Sequence, residues 1–282
     1  MIKANFHQHS LFSDGKNHPE DYVIQAIRLG FTAIGFTEHS PLPFNTYYAL
    51  PQHRENEYVN EIDRLKSKYA AEIKIYRALE QDFIPGITEN FSTVSNRMNL
   101  DYSIGSVHLV APTHGDELWF IDGPERRLYD EGLHTLFNGN IREAVSRFFF
   151  QTNEMIEKEN FDVLGHMDKI KMHNANRFFT VEESWYQDLV IQTLELVKAH
   201  QLIVEINTRG IYKKRSDSYF PDHLTLRQIK EMNIPVLISS DAHMPEELNL
   251  GFAEVQQHLI DFGFTSTMTF DEGKWKEQPL IG

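Results

Sequence analysis

Ile2-Lys3-Ala4-Asn5-Phe6-His7-Gln8-His9 and Ala33-Ile34-Gly35-Phe36-Thr37-Glu38-His39 are the two stretches on which the fold turns. Each is a short apolar or β-branched run that ends in side chains able to bind a metal. Between them, Pro19–Leu29 opens on a proline with Glu20 and Asp21 behind it, the pattern of a first helical turn. Strand, helix and strand with the same polar ending are the unit of a parallel sheet joined by crossover helices.

Working outward, the unit recurs. Further strand candidates are Ile73–Leu79, Tyr102–Val107, Phe161–Leu164, Leu202–Ile206 and Pro235–Ser239. Amphipathic runs at Arg54–Ala70, Ile141–Glu159, Val181–His200, Leu224–Met232 and Pro245–Phe262 alternate with them. Seven strands of this kind predict an α/β protein built as a distorted (β/α)7 TIM-like barrel, with an open doubly wound sheet as the alternative. No repeat or linker divides the 282 residues, so one domain over 1–282 is expected. Residues 109–140 interrupt the alternation around Trp119-Phe120-Ile121-Asp122-Gly123-Pro124, and they read as an irregular, lid-like insertion over a pocket.

Composition narrows the chemistry. The chain has no cysteine, which excludes disulfides, thiolate metal sites and thiol nucleophiles, so any metal is held by nitrogen and oxygen. A formal net charge of −14 argues against a broad nucleic-acid or membrane surface. No apolar stretch spans a bilayer, and the first strand begins too early to leave room for a signal peptide. A soluble cytoplasmic protein acting on a small molecule is expected.

Fourteen histidines need an explanation, and their positions supply one. The first strand ends in His7-Gln8-His9 and is followed by Ser13-Asp14-Gly15. The second ends in Glu38-His39, the third at Glu80 and the fourth at His108. The fifth ends in Gly165-His166-Met167-Asp168, and the seventh in Ser240-Asp241-Ala242-His243. Residues two apart on an extended chain share a face, so His7 with His9, and Asp241 with His243, can each grip one ion. All would gather at the carboxyl end of the barrel, where such folds build their sites. Among the remaining histidines, His53, His200, His223 and His258 are expected on the surface. His114 and His134 fall in the insertion, where a substrate contact competes with a surface position, and His18 and His173 take no assignment.

These motifs together resemble the polymerase and histidinol phosphatase (PHP) family, over nearly the whole chain, and within it the stand-alone bacterial histidinol-phosphatases, to which length, Trp119–Pro124 and Glu205-Ile206-Asn207-Thr208 also point. The resemblance implies a PHP-type barrel with three divalent ions. His7, His9, Glu80 and Asp241 would hold the first. Glu80 would bridge to a second held by His108 and His166. Asp14, His39 and His243 would hold the third, with Asp14 where some relatives have His. Zinc, iron or manganese suits this mixed ligand set.

Charge balance agrees. Six neutral imidazoles and three carboxylates leave three divalent ions with a surplus of three positive charges, which a phosphomonoester dianion and one hydroxide neutralise. The resemblance implies hydrolysis of L-histidinol phosphate in histidine biosynthesis. The nucleophile would be a metal-bridging hydroxide held among Glu80, His7, His9, Asp241, His108 and His166. Arg209 and Lys169 are the expected substrate contacts. The alternatives are a PHP-type phosphoesterase for nucleotides or short oligonucleotides, a metal-dependent amidohydrolase, and a metal-holding module without catalysis.

Overall fold

A computed structural model describes residues 2–113 and 117–280. Seven parallel strands form one sheet: β1 (Ala4–Asn5), β2 (Ala33–His39), β3 (Lys74–Asp82), β4 (Tyr102–Ser106), β7 (Val163–Leu164), β8 (Ile203–Asn207) and β9 (Val236–Ser239), neighbours in that order. Beyond the regular ladder the two edge strands meet. Gln8 bridges Ala242 in parallel, His9 N donates to Ala242 O at 2.8 Å, and Ala242 N donates to His7 O at 3.3 Å. That contact draws the sheet into a nearly closed, distorted (β/α)7 barrel and brings the first and last ligand motifs side by side.

Helices Pro19–Arg28, Glu55–Lys68, Phe91–Met98, Ile141–Lys158, Ser184–Ala199 and His223–Glu231 cover the outside. Their apolar faces join the outer faces of the strands in one large core that includes Tyr22, Tyr58, Phe149 and Tyr186. The inner face of the strands makes a second cluster of Phe6, Tyr76, Ala78, Tyr102 and Ile104. Antiparallel β10 (Ser266–Asp271) and β11 (Lys274–Pro279) add Phe270 and Trp275 to it, and Trp275 Nε1 donates to Asp162 at 3.1 Å. The amino end of the barrel is thus packed with aromatic rings.

Two expectations need correction. The insertion is not irregular. β5 (Leu109–Val110) pairs antiparallel with β6 (Trp119–Phe120), and a helix follows at Arg126–Phe137. Tyr129, Leu133 and Phe137 are its buried residues, at helical spacing, and Trp119 packs on Tyr129 and Phe137. The run Pro245–Phe262 is a 3-10 turn, Pro245–Glu247, and a separate helix, Phe252–Asp261, parted at Gly251 with φ 80°. Phe91–Met98 and the β10–β11 hairpin are elements that the alternation did not signal. His114 lies outside the described residues, and His134 is exposed. Among the described residues, no helix is long and apolar enough to cross a membrane.

Candidate metal centre

Strand register sets the level of the ligands. β2 and β3 pair with His39 opposite Glu80, and β3 and β4 pair with Asp82 opposite Ser106. All nine expected ligands converge at the carboxyl end of the barrel. They are buried except for Asp14 and His243, which are half-buried at the rim. The loop carrying Asp14 lies tight on β1's extension: a Cβ on Gly15 would sit 2.1 Å from His9 O, so only glycine permits that approach. Glu38 fixes the same loop. Its carboxylate accepts from Ser10 N at 3.0 Å and from the Ser10 and Ser13 hydroxyls.

Three groups of donor atoms form. In the first, His7 Nε2 lies 3.1 Å from His9 Nε2 and 3.3 Å from Glu80 Oε2. Asp241 Oδ1 stands 3.4 Å from His9 Nε2 and 3.9 Å from His7 Nε2. Four ligands at zinc–donor lengths in a tetrahedron are separated by roughly 3.3 Å, so these atoms are spaced to share one ion. In the second, the other oxygen of Glu80 lies 2.8 Å from His166 Nε2 and 3.4 Å from His108 Nε2. In the third, Asp14 Oδ2 lies 3.1 Å from His243 Nε2, and Asp14 Oδ1 lies 3.7 Å from His39 Nε2. His39 faces two ways, because its Nδ1 is 3.1 Å from Glu80 Oε2. His9, Asp14, His39 and His243 therefore also form one group close enough for a single ion.

The chemistry of these atoms fits cations. Among the described residues, His9 Nδ1, His39 Nδ1, His166 Nε2 and Asp14 Oδ1 are buried without a hydrogen bond, an arrangement that costs free energy unless the lone pairs bind something positive. Burial, with His243 alongside, pushes His9 down to about 4, and burial beside His9 takes His39 to about 3, so both rings are neutral and able to bind an ion. Burial acts on Glu80 in the opposite sense, but His7, His108 and the other imidazoles outweigh it and hold its carboxyl well below the usual range. Lys169, His7 and Arg209 do the same for Asp241. Asp241 itself takes the left-handed backbone, φ 50°, which is strained for aspartate and turns the motif into the site.

Outer partners orient the rings. Glu205, wholly buried, accepts from His7 Nδ1 and so leaves Nε2 for an ion. It also accepts from His166 N at 2.7 Å and from the Ser239 hydroxyl. His243 Nδ1 donates to Asp241 O at 3.0 Å, which fixes that ring similarly. Asp82 accepts from His108 N at 3.0 Å and from Tyr48 OH at 3.1 Å. Asp168, two residues after His166, turns away from the cluster to pair with Lys171.

A cavity of about 570 Å³ opens over the ligands, with Lys169 and Arg209 in its wall. Arg209 Nη1 donates to Asp241 O at 2.6 Å and Tyr212 OH at 3.1 Å. Among the described residues all its hydrogen bonds to other side chains or carbonyls come from that nitrogen, leaving the rest of the fork for a ligand. Lys169 Nζ lies 3.4 Å from Asp241 Oδ2. Tyr47, Tyr48, Phe120 and Asp122 line the same cavity. Burial pushes the Asp122 carboxyl up, but His108 and Lys169 outweigh it and keep it ionised. The sequence reading missed Asp82, Asp122 and the role of Glu205. Asp82 follows Glu80 by two on one strand face, Glu205 interrupts an apolar strand, and Asp122 sits inside the Trp119–Pro124 run, so each left a signal.

The PHP domain family model matches residues 5–209. The chain is 28% identical over 284 residues to the "Probable histidinol-phosphatase" of Schizosaccharomyces pombe, covering 95% of this chain and 89% of that protein. It is 25% identical over 280 residues to the histidinol-phosphatase of Lactococcus lactis, covering 96% and 95%. A crystal structure of histidinol phosphate phosphatase from Lactococcus lactis, in complex with zinc, L-histidinol and phosphate, matches with a TM-score of 0.70 at 21% identity, covering 98% of this chain and all of that one.

Proposed function

The chain belongs to the PHP domain family, and from that premise we propose that it is a histidinol-phosphatase, hydrolysing L-histidinol phosphate to L-histidinol and phosphate at a centre of three divalent ions. The observation that carries this reading is the union, in one cavity, of a multi-ion ligand cluster with two buried cations, Lys169 and Arg209. Relatives bearing that activity align along almost the whole chain, and one of their structures holds zinc with both products.

His7, His9, Glu80 and Asp241 would hold the first ion, Glu80, His108 and His166 the second, and Asp14, His39 and His243 the third, with zinc, iron or manganese as the candidates. Such ions supply an acidified water as nucleophile and neutralise charge on the phosphoryl oxygens. The chain's own residues do the positioning. Glu80 offers one oxygen to each of two ligand groups, so it sets their separation. Arg209 and Lys169 clamp the phosphoryl group from the side of Asp241. No side chain acts as nucleophile, so no phosphorylated protein forms.

The test is phosphate release by fully metallated protein from histidinol phosphate, p-nitrophenyl phosphate, nucleoside monophosphates and a phosphodiester. The largest kcat/KM is expected for histidinol phosphate. A nucleotide or diester turned over faster, or a trapped phosphoprotein, would overturn the proposal.

A further inference from the structure

We propose that Asp122 anchors a cationic amino group on the leaving-group side of the substrate, so that the site selects phosphate monoesters of vicinal amino alcohols. The proposal rests on the phosphomonoesterase reading above and adds a substrate-selecting contact to it.

Asp122 comes from the insertion, not from a barrel strand, yet it is held rigidly against the site. On one side Ile121 N donates to His108 O at 3.1 Å. On the other, His173 Nε2 donates to Gly123 O at 2.7 Å. Below, buried Trp119 donates from Nε1 to Tyr129 O at 2.9 Å and packs on the helix Arg126–Phe137. The side chain is 8% exposed, and what it exposes faces the cavity.

What surrounds the carboxylate defines its ligand. Its nearest charged neighbours are Lys169 Nζ at 3.5 Å and His108 Nε2 at 3.9 Å. Neither makes a hydrogen bond, and among the described residues Oδ1 is buried with no donor. An ionised carboxylate in a cavity wall with unused lone pairs is an acceptor for an N–H that carries charge.

Position adds the chemical class. Asp122 Oδ2 lies 3.5 Å from Lys169 Nζ, whose other carboxylate neighbour is Asp241 Oδ2 at 3.4 Å, so the carboxylate borders the metal cluster on the side of the insertion. In the ester of a vicinal amino alcohol the nitrogen lies roughly 3–4 Å from the ester oxygen, given ordinary bond lengths. With the phosphoryl group against Lys169, that span brings an ammonium within reach of Asp122. Beyond it, Tyr48 and Phe120 stack at 5.4 Å, and Tyr47, 66% exposed, lies 6.2 Å from Phe120. This aromatic lip suits a flat ring on the same leaving group. A nucleotide would present a neutral sugar to Asp122 and gain nothing from its charge.

The experiment compares wild type with Asp122→Asn, both loaded with metal, on histidinol phosphate and on its amine-free analogue, imidazolylpropyl phosphate. The isosteric change is expected to lower kcat/KM for histidinol phosphate about 10- to 100-fold, mostly through KM, and by at least about tenfold more than for the analogue. Metal content by mass spectrometry is expected at the wild-type level. Equal losses on both esters, or none on either, would overturn the proposal while leaving the phosphomonoesterase reading intact. Loss of bound metal with collapse of both activities would overturn it too, by making Asp122 a ligand of the ions. A wild type that hydrolyses neither ester removes the phosphomonoesterase reading and this inference with it.

Discussion

Replacing Glu205 by Gln changes one oxygen into NH2 and almost nothing in volume, so it isolates what the carboxylate does for the metal centre. Glu205 takes donors on both oxygens. Oε1 receives His7 Nδ1 and the Ser239 hydroxyl, and Oε2 receives His166 N at 2.7 Å and Asn207 Nδ2 at 3.3 Å. A glutamine amide must point its NH2 at one pair or the other. Facing His7, it forces that ring to accept at Nδ1 and carry its proton on Nε2, the nitrogen 3.3 Å from Glu80 Oε2 that would bind the ion. Facing His166 N instead, it sets two donors against each other in a wholly buried place, at a cost of about 1–3 kcal/mol. Either way the first ligand group suffers, because losing an outer partner of this kind weakens metal binding or activity about 10- to 100-fold. The assay is metal retention against a competing chelator, followed by phosphate release at saturating metal. Weaker retention with partial rescue of kcat at high metal is expected. Wild-type retention and full activity would refute the claim that Glu205 sets the orientation of His7.

Chelation should abolish phosphate release and lower the melting temperature, because each ion at a hundredfold its Kd adds about 2.7 kcal/mol to the folded state; an unchanged melting curve after metal is shown to be gone would contradict the ligand set. Gly165→Ala places a Cβ 2.3 Å from Ser106 Oγ, which donates to Glu80 Oε1 at 2.7 Å, so activity should fall at least about tenfold and stability by about 1–3 kcal/mol; a fully active variant would show that Ser106 can shift without moving Glu80. Phe270→Ala empties part of the aromatic packing at the amino end of the barrel, far from the ligands. It should cost about 3–5 kcal/mol in urea unfolding with kcat little changed, and a large fall in kcat in the folded variant would count against that separation.

Local pattern made the chemistry of the site legible before the structure was known. His7, His9, Glu80, His108, His166, Asp241 and His243 stand at or just past the ends of apolar runs, and alternation along an extended chain decides which share a face. The parallel order β1-β2-β3-β4-β7-β8-β9 follows from the same alternation of strands and helices. The helix Arg126–Phe137 escaped because its buried residues, Tyr129, Leu133 and Phe137, are few and sit among charged neighbours in a segment that begins with turns. The β10–β11 hairpin escaped because its exposed residues mask the inward face that carries Phe270.

Short stretches of sequence thus carry the metal-binding residue types and the strand ends that bear them, since both are local properties. Tertiary structure alone decided the rest. It closed the barrel by pairing Gln8 with Ala242, turned His39 between Asp14 and Glu80, and set Glu205 behind His7. It also brought Asp122 from the insertion to the cavity wall. Those relations join residues far apart in the chain, and only packing of the strands in register brings them within reach, because no local periodicity encodes which distant side chain will face a given nitrogen.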